Sequence, residues 1–373
     1  MEYENTQVGA LGLIGMRGCE ELTASCDAYL RQWDIVGGGD GHSVQVKAAC
    51  PRFTTGEAKG LIEQSVRGYD LYIISDMFNY GVSYEMYNMT VPMSPDDHYQ
   101  DLKRLIMATN GKARRITVFM PMLYEGRQHR RFARESLDCA VALQELARMG
   151  VDNLITFDAH DSRVQNAIPL KGFENVAPTY QMIKALVSSV PDISFNPSDM
   201  MIVSPDEGAM SRCIYYSSVL GLDLGMFYKR RDYTRVVNGR NPILSHEYLG
   251  DSLEGKDVII VEDIIASGDS MLSLTEKLKE RGARRVFVFV TFGLFCEGLE
   301  SFDKSYEKGV FERIFTTNLI YRSPELRARK WYYQVDMSKY ISYIISILNF
   351  DRSISELLDP AQRIRKLLAR EKK

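Results

Sequence analysis

The fold is decided by the segment Val258-Ile259-Ile260-Val261-Glu262-Asp263-Ile264-Ile265-Ala266-Ser267-Gly268-Asp269-Ser270. Its four opening residues are β-branched, which is typical of a buried strand at the centre of a parallel sheet. Two acids follow, and then a short loop of small residues. We expect a helix to begin near Ser270, because Met271, Leu274 and Leu278 share one helical face. The segment therefore predicts a strand–loop–helix unit of an α/β fold.

The same segment indicates what the loop can bind. Backbone N–H groups of a small-residue loop and the amino end of the next helix form a site for an anion. Glu262 and Asp263 lie at the carboxyl end of the predicted strand, where they can accept hydrogen bonds from two neighbouring hydroxyls. A phosphate at one end and a diol at the other is the outline of ribose 5-phosphate. The alternative is a structural strand with a capped helix, which does not need two adjacent acids there.

The composition limits the possible classes of protein. At 373 residues the chain has room for two α/β domains, and 45% hydrophobic with 25% charged residues is average for a globular protein. A net charge of -3 gives no argument for a nucleic-acid or anionic-membrane partner. No apolar run has membrane-spanning length, and residues 1–30 lack the charged-then-apolar pattern of a signal peptide. The six cysteines form no CxxC pair, so neither a zinc site nor a disulfide framework is indicated. We expect a cytoplasmic protein without nucleic-acid or membrane partners.

Strand-like runs alternate with helical patterns through most of the chain, which predicts parallel sheets covered by helices on both faces. The predicted strands are residues 71–75, 116–120, 154–157, 200–204, 225–228, 258–261 and 286–292. Helical stretches include 135–149 and 207–220. The chain fits two similar α/β halves joined within residues 168–178. Residues 79–97 and 232–250 are polar and irregular, and we expect long loops there. Residues 359–373 open with Asp-Pro and continue as a basic amphipathic helix.

Two segments place acids where predicted strands end. Asp158 and His160 follow the strand 154–157, and the carboxyl ends of parallel strands are where open α/β sheets bind ligands. His160 can coordinate a divalent metal or simply cap its loop. Asp206 follows the strand 200–204 and suits a metal or a sugar hydroxyl, while Arg212 can reach a phosphate over the helix start. The alternative is an ordinary Pro-Asp helix start with a solvated arginine.

Three further segments carry charged or aromatic groups. Lys229, Arg230 and Arg231 follow the strand 225–228, and phosphoryl-type transfer needs cations that neutralise developing charge. A solvated surface is the alternative for such a run. Arg127 and Gln128 can hold a nucleotide, and a basic helix opening is the alternative for the nearby Arg130 and Arg131. The segment from Phe53 to Glu57 offers an aromatic ring and an acid for adenine, and a hairpin turn explains it equally well.

Taken in order, these segments resemble the motif series of the ribose-phosphate diphosphokinase (phosphoribosyl-diphosphate synthetase) family. That family carries Phe-x-x-Gly-Glu, Ser-Val-Arg-Gly, Arg-Gln-Asp, Asp-Leu-His, Ser-Pro-Asp-x-Gly, Lys-Arg-Arg and the acidic ribose-phosphate signature. This chain has matching residues from about Gly12 to Leu358. Each motif is modest alone, but their shared order is specific.

The resemblance implies a fold and a domain plan. The fold class is α/β, with two similar type I phosphoribosyltransferase-like domains, each a parallel-sheet layer structure. Residues 1–170 would be the N-terminal domain with ATP and oligomer contacts, and residues 171–340 the C-terminal domain with the ribose 5-phosphate site. Residues 341–373 would be C-terminal helices that pack back, followed by a basic tail.

The resemblance also implies an activity and its site. The chain would transfer the β,γ-diphosphoryl group of ATP to the 1-hydroxyl of ribose 5-phosphate, with Mg²⁺, as a homo-oligomer of at least two subunits. Lys229 and Arg231 would be the catalytic cations. ATP would be bound by Phe53 and Glu57 from a neighbouring subunit together with Arg127 and Gln128. The metal sites would involve His160, Asp206 and Asp158. Ribose 5-phosphate would be bound by Arg212, Glu262, Asp263, Ala266, Ser267, Gly268, Asp269 and Ser270.

Several residues depart from the family pattern. Thr55 stands where the family has Asp or Asn, His129 replaces the Asp of Arg-Gln-Asp, and Ala159 replaces the Leu before His160. Asp269 lies in the phosphate loop, and we expect its carboxylate to point outward. Residues 79–97 resemble an insertion. Two other functions remain as alternatives: a phosphoribosyltransferase, which would leave the N-terminal half unexplained, and an inactive regulatory subunit of the same fold.

Overall fold

The computed structural model describes residues 6–131, 133–231 and 243–371. For residues 229–231, 243–246 and 370–371 it describes the backbone only. The chain divides into two compact units. The N-terminal unit consists of Met1–Pro178, Asn318–Ser323 and Asp336–Asp359. The C-terminal unit consists of Thr179–Thr317, Pro324–Val335 and Pro360–Lys373.

A five-stranded parallel sheet forms the centre of the N-terminal unit, with the strand order β1-β4-β7-β8-β9. Its strands are β1 (Ala10–Gly15), β4 (Tyr69–Ile74), β7 (Arg115–Phe119), β8 (Asn153–Phe157) and β9 (Gly172–Val176). The three middle strands are almost wholly buried, because helices cover both faces of the sheet. Their carboxyl ends therefore lie at one edge of the unit.

Helices and two hairpins complete the N-terminal unit. The helices are α1 (Glu20–Val36), α2 (Pro95–Ala108), α3 (Asp138–Arg148), a 3-10 helix (Ser162–Ala167), α9 (Ser338–Asn349) and α10 (Ser355–Leu358). The hairpins pair β2 (Ala48–Ala49) with β3 (Leu61–Ile62) and β5 (Ser83–Met86) with β6 (Met89–Pro92). Helix α9 returns to this unit late in the chain and packs on α1, where the rings of Trp33 and Tyr343 stack with centroids 4.4 Å apart.

The C-terminal unit has a seven-stranded sheet in the order β12-β11-β10-β13-β14-β15-β16, parallel except for the edge strand β12. The strands are β10 (Met200–Ser204), β11 (Asp223–Arg231), β12 (Ile243–Leu249), β13 (Asp257–Ile265), β14 (Arg285–Gly293), β15 (Arg313–Thr317) and β16 (Tyr332–Val335). The helices are α4 (Thr179–Ser189), α5 (Met210–Leu220), α6 (Asp269–Glu280), α7 (Glu300–Glu307), α8 (Pro324–Arg327) and α11 (Ala361–Glu371). Apolar strand residues fill its core, and β13 is the most central strand.

Most of the sequence-based elements are confirmed. Each of the seven predicted strands overlaps an observed strand, and the two helical stretches contain α3 and α5. The predicted C-terminal helix is α11, which contacts α4 and α5 and buries Ile364 completely. All six cysteines are free thiols. Within the described part of the chain, no helix combines the length and the apolar character needed to cross a membrane.

Three expectations were wrong. Residues 79–97 are not an irregular loop, because they contain the β5–β6 hairpin and the first residues of α2. The stretch 232–250 is not irregular throughout, since β12 occupies Ile243–Leu249 and pairs antiparallel with β11; residues 232–242 lie outside the described residues. The Lys229–Arg231 run does not follow a strand end, because β11 continues to Arg231 and the pairing with β12 supplies its backbone hydrogen bonds.

Candidate active site

The loop after β10 is shaped by its own hydrogen bonds. Ser204 Oγ donates to the carbonyl oxygen of Asp206 at 2.8 Å. Asp206 Oδ1 accepts from the backbone N–H of Gly208 at 2.9 Å and of Ala209 at 3.3 Å. This turn leads directly into α5, which places Arg212 in the first turn of that helix. The strand end, Asp206 and Arg212 therefore form one local unit.

Arg212 lies beside the acid pair of Glu262 and Asp263. Its Nη1 atom is 3.7 Å from Glu262 Oε1, and its Nη2 atom is 4.0 Å from Asp263 Oδ2. All three side chains are at least four-fifths buried. The two acids do not follow β13 as the sequence suggested; they lie within it, because the strand continues to Ile265. Strands β10 and β13 are neighbours, so α5 and the end of β13 bring one cation to two carboxylates.

The acid pair is electrostatically strained, and this affects its protonation. Burial raises the pKa of Glu262 well above its usual value, and the neighbouring Asp263 carboxylate raises that pKa further. The Arg212 guanidinium opposes the shift. The backbone N–H of Asp263 also donates to Glu262 Oε1 at 3.0 Å. A pair of acids that holds one proton can both donate to and accept from a diol.

The loop after β13 ends in a glycine that no other residue replaces without strain. Gly268 has φ +99° and precedes α6 directly, and a Cβ on it would overlap the ring of Phe302. No side chain of the described residues caps α6 at this position. Asp269 and Ser270, the first residues of the helix, are exposed. Backbone N–H groups at a helix start favour an anion, so this loop has the properties of a phosphate site.

In the N-terminal unit, Asp158 and His160 follow β8 as the sequence suggested. Asp158 has φ +42°, and its N–H donates to Val176 O at 2.9 Å. His160 is exposed, and its ring centroid lies 5.3 Å from that of His129. His129 Nε2 is in turn 3.5 Å from Asp161 Oδ2. This edge of the sheet therefore combines two histidines with two carboxylates.

The structure adds Asp161 and His129 to this cluster, and neither was assigned a role from the sequence. The Arg163 side chain holds the Asp161 carboxylate and lowers its pKa below the usual range, with burial acting against it. The signal for Asp161 was its position directly after His160. His129 comes from a different loop, so its proximity to Asp161 is visible only in three dimensions.

Arg127 and Gln128 lie in the loop after β7. Among the described residues of this loop, no helix begins before α3, so the alternative of a basic helix opening at Arg130 and Arg131 was wrong. Glu125 has φ +53°, and Gln128 N–H donates to Glu125 O at 2.8 Å. The Arg127 side chain is exposed, whereas Gln128 is half-buried. The loop thus presents a cation to solvent on a tightly turned backbone.

The segment 53–57 is a hairpin turn with its two proposed nucleotide groups on the surface. Phe53 N–H donates to Glu57 O at 2.7 Å, and Arg52 and Ala58 form an antiparallel bridge. The Phe53 ring is 57% exposed, and Glu57 is also exposed. Thr55 Oγ1 donates to Glu57 Oε2 at 2.8 Å, which fixes the carboxylate. Because more than half of the Phe53 surface is exposed, the turn has the character of a contact surface.

The backbone of Lys229 and Arg231 lies in β11, where Lys229 pairs with His246. Their side chains lie outside the described residues.

Two family models match consecutive parts of the chain. Residues 12–150 match the N-terminal domain of ribose phosphate pyrophosphokinase, and residues 174–328 match the phosphoribosyl transferase domain. The ribose-phosphate pyrophosphokinase of Vibrio cholerae serotype O1 is 28% identical over 316 residues, covering 84% of this chain and 91% of the relative. That of Pasteurella multocida is 28% identical over 313 residues, covering 83% and 90%.

A solved structure shows the same fold. Phosphoribosylpyrophosphate synthetase from Mycobacterium smegmatis matches with a TM-score of 0.73 at 18% identity, over 91% of this chain and 98% of that chain. Both units are parallel-sheet α/β domains of the phosphoribosyltransferase type. With both domain models matched in order along one chain, the protein belongs to the ribose-phosphate pyrophosphokinase (diphosphokinase) family.

Proposed function

We propose that this protein transfers the β,γ-diphosphoryl group of ATP to O1 of ribose 5-phosphate and releases AMP. The products are 5-phosphoribosyl 1-diphosphate, a precursor for nucleotide biosynthesis, and AMP. The observation that carries the proposal is the acid pair at the end of β13, with Arg212 3.7 Å from Glu262 and an uncapped helix start after the same strand. A diol site and a phosphate site on one strand end match the two ends of ribose 5-phosphate.

In this assignment the C-terminal domain, residues 171–340, binds the sugar phosphate. Residues Ala266 to Ser270 hold the phosphate through backbone N–H groups. Asp263 and Glu262 bind the sugar hydroxyls, and Arg212 balances the charge of the acid pair. Because Asp269 is exposed, its carboxylate does not have to point at the phosphate.

The N-terminal domain, residues 1–170, binds ATP. Arg127 contacts phosphate oxygens, and Gln128 contacts the base or ribose. Phe53 and Glu57, on an exposed turn, hold the adenine of a neighbouring subunit's ATP. This arrangement makes the protein a homo-oligomer of at least two subunits, because a two-fold interface is self-complementary.

The reaction in this family uses Mg²⁺, and the donor chemistry present fits that ion. Magnesium prefers oxygen ligands and is usually held by one or two carboxylates together with substrate phosphates. Among the described residues, no group of three or more His, Cys, Asp or Glu side chains is arranged to hold a metal ion alone. Asp158 and His160 in the N-terminal unit and Asp206 in the C-terminal unit would each contribute to a magnesium site, directly or through water, with phosphates completing the ligands. The bound ion would supply charge neutralisation on the phosphates.

The chemical step is an in-line displacement at the β-phosphorus. A bond forms between O1 of the sugar and Pβ, while the bond between Pβ and the bridging oxygen to Pα breaks. AMP leaves with that oxygen, and the hydroxyl proton is released. Lys229 and Arg231 stabilise the negative charge that spreads over the transferring group.

The experiment that tests the proposal measures AMP formation from ATP with and without ribose 5-phosphate. We expect AMP only when the sugar phosphate is present. A phosphoribosyltransferase would form no AMP and would instead consume phosphoribosyl diphosphate with a base. An inactive regulatory subunit would bind ATP without turnover. In parallel, Lys229→Ala should lower kcat by several orders of magnitude with little change in ribose 5-phosphate affinity, because its cation meets charge that is present mainly in the transition state.

A further inference from the structure

The β5–β6 hairpin contacts every second residue of the segment 52–56, namely Arg52, Thr54 and Gly56. The guanidinium carbon of Arg52 lies 4.8 Å from the centre of the Tyr84 ring. Thr54 O accepts a hydrogen bond from Tyr87 N–H at 3.0 Å. Gly56 lies so close to the hairpin that a Cβ on it would come within 2.6 Å of Met86 Sδ. One side of the turn therefore rests on the hairpin along its whole length.

The hairpin is itself fixed to α2, so it is a firm support. Tyr84 Oη donates to Asp97 Oδ1 at 3.4 Å, in the first turn of α2. Met93 N–H donates to Val82 O at 2.8 Å and closes the base of the hairpin. Arg52 Nη1 donates to Asp101 Oδ1 on α2 at 2.6 Å, which ties the turn to the same helix. The helix, the hairpin and the turn therefore form one continuous packing unit.

The hairpin tip has an unusual backbone that the turn helps to stabilise. Tyr87 and Asn88 have φ values of +50° and +60°, which is the two-residue turn that suits the twist of paired strands. A tyrosine in this region is uncommon and strained, whereas Asn adopts it readily. The Tyr87 N–H is the group that donates to Thr54 O. The strained residue is thus the one that contacts the turn.

We propose that the β5–β6 hairpin is a positioning element for ATP, with Tyr84 and Met86 as the positioning residues. The hairpin holds the turn so that Phe53 and Glu57 are already oriented before the adenine arrives. This inference rests on the proposed function, because it takes the turn to be an adenine contact. Pre-ordering matters here because Phe53 and Glu57 are exposed and the turn is short.

The test compares purified full-length variants for KM of each substrate and for amide hydrogen exchange of residues 52–57. Tyr84→Ala removes the ring beside Arg52, and Met86→Ala removes the contact with Gly56. Tyr84→Phe keeps the ring and loses only the bond to Asp97. Thr90→Val is the matched control on the same hairpin, because Thr90 is exposed and bonds only across the strands, to Glu85 Oε1 at 2.6 Å.

We expect Tyr84→Ala and Met86→Ala each to raise the KM for ATP at least about fivefold, with kcat and the KM for ribose 5-phosphate within about twofold of the parent. Exchange of the Phe53 and Gly56 amides, both hydrogen-bonded within the turn, should become at least about tenfold faster. Thr90→Val should match the parent in both measurements, and Tyr84→Phe, which loses only the 3.4 Å bond to Asp97, should fall between the parent and Tyr84→Ala. Met86→Ala tests the proposal even if Tyr84→Ala does not fold.

Two results would overturn the inference. One is an unchanged KM for ATP together with unchanged exchange in Met86→Ala and Tyr84→Ala. The other is an equal rise in the KM of both substrates, which would show a general loss of structure. Phe53→Ala separates this inference from the proposed function. If Phe53→Ala leaves the KM for ATP unchanged while the parent still releases AMP, the turn is not an ATP contact. The inference about the hairpin is then wrong, and the proposed function stands. A parent that releases no AMP refutes the proposed function itself.

Discussion

At the scale of single residues, the acid pair concentrates opposing charges in a small volume. Glu262 and Asp263 are neighbours in β13, and one arginine, Arg212, faces both carboxylates. A buried carboxylate destabilises the fold unless it is paired or protonated. Burial and the neighbouring Asp263 carboxylate raise the pKa of Glu262, so protonation of Glu262 removes one of the two negative charges in the ligand-free protein. A buried acid with a strongly raised pKa is typical of binding sites.

This arrangement predicts a pH-dependent stability. Folding raises the pKa of Glu262 above its usual 4.5, so the stability from its protonated form is present below that value and is lost as pH rises through the raised pKa. Glu262→Gln cannot titrate and avoids this loss. The difference in melting temperature between Glu262→Gln and the parent (variant minus parent) should therefore grow as the pH rises from about 5 to about 8.

Thermal unfolding of the ligand-free protein at several pH values gives this comparison. Glu276→Gln on the exposed face of α6 is the control, and its difference from the parent should not follow the same trend. A difference for Glu262→Gln that stays constant or falls with pH would show that Glu262 is ionised in the folded protein.

A second prediction at this scale concerns ligand affinity. Asp263→Asn combined with Glu262→Gln should weaken ribose 5-phosphate much more than ATP, because a charge-assisted hydrogen bond is about twice as strong as a neutral one. Calorimetry with each ligand alone measures the two losses. Equal losses for both ligands would place the acid pair at a shared metal site instead of at the sugar hydroxyls.

At the scale of elements, the loop proposed to bind the phosphate depends on one glycine, Gly268. Gly268→Ala combines the strain of a positive φ, about 1–2 kcal/mol, with overlap of the Phe302 ring, which adds about 1–3 kcal/mol. Gly221 is the matched control, because it has φ +69° at the end of α5 and nothing within 4 Å of a Cβ. Gly221→Ala should cost only the strain.

Denaturant unfolding and ribose 5-phosphate titration of both variants test this prediction. Gly268→Ala should lose more stability than Gly221→Ala and should bind the sugar phosphate far more weakly. Equal stabilities with intact binding in Gly268→Ala would mean that the loop tolerates a side chain and that its close packing on Phe302 is unimportant.

The elements also show what the sequence can predict. Long buried strands such as β10 and β13 are apolar runs that leave few alternatives. The β5–β6 hairpin was missed because its strands are short and its turn is Tyr87-Asn88, without the Asn-Gly or Asp-Gly signal. The extension of β13 through Glu262 and Asp263 was missed because acids are rare in strands, and the position of Arg212 beside them is visible only in three dimensions.

Some residues of the candidate site could also be predicted from the sequence, and others could not. Residues within one strand–loop–helix unit, such as Asp206 with Arg212 or Gly268 with its loop, were predicted because their proximity follows from local geometry. His129 and Asp161 were not, since they come from different loops of the N-terminal unit and meet only after folding. The sequence offered two signals: the departure of His129 from the family motif and the position of Asp161 directly after His160.

At the scale of the whole molecule, we propose that the ATP site is shared between subunits. One variant would carry Phe53→Ala with Glu57→Ala, and the other Arg127→Ala with Gln128→Ala. Each alone should be nearly inactive. After subunit exchange, some mixed dimers would regain one intact site, and activity should return. Each variant mixed with itself is the control. No recovery despite demonstrated exchange, or a fully active monomer, would exclude a shared site and leave the reaction assignment intact.

The most direct measurement uses ATP labelled at the β-phosphorus, incubated with the protein, Mg²⁺ and ribose 5-phosphate. Attack of O1 on Pβ predicts that the label moves to the sugar as a diphosphate, that AMP forms in equal amount without label, and that neither product forms when the sugar phosphate is omitted. Label found in ADP or inorganic phosphate, or AMP formed without the sugar phosphate, would contradict diphosphoryl transfer as the function of this protein.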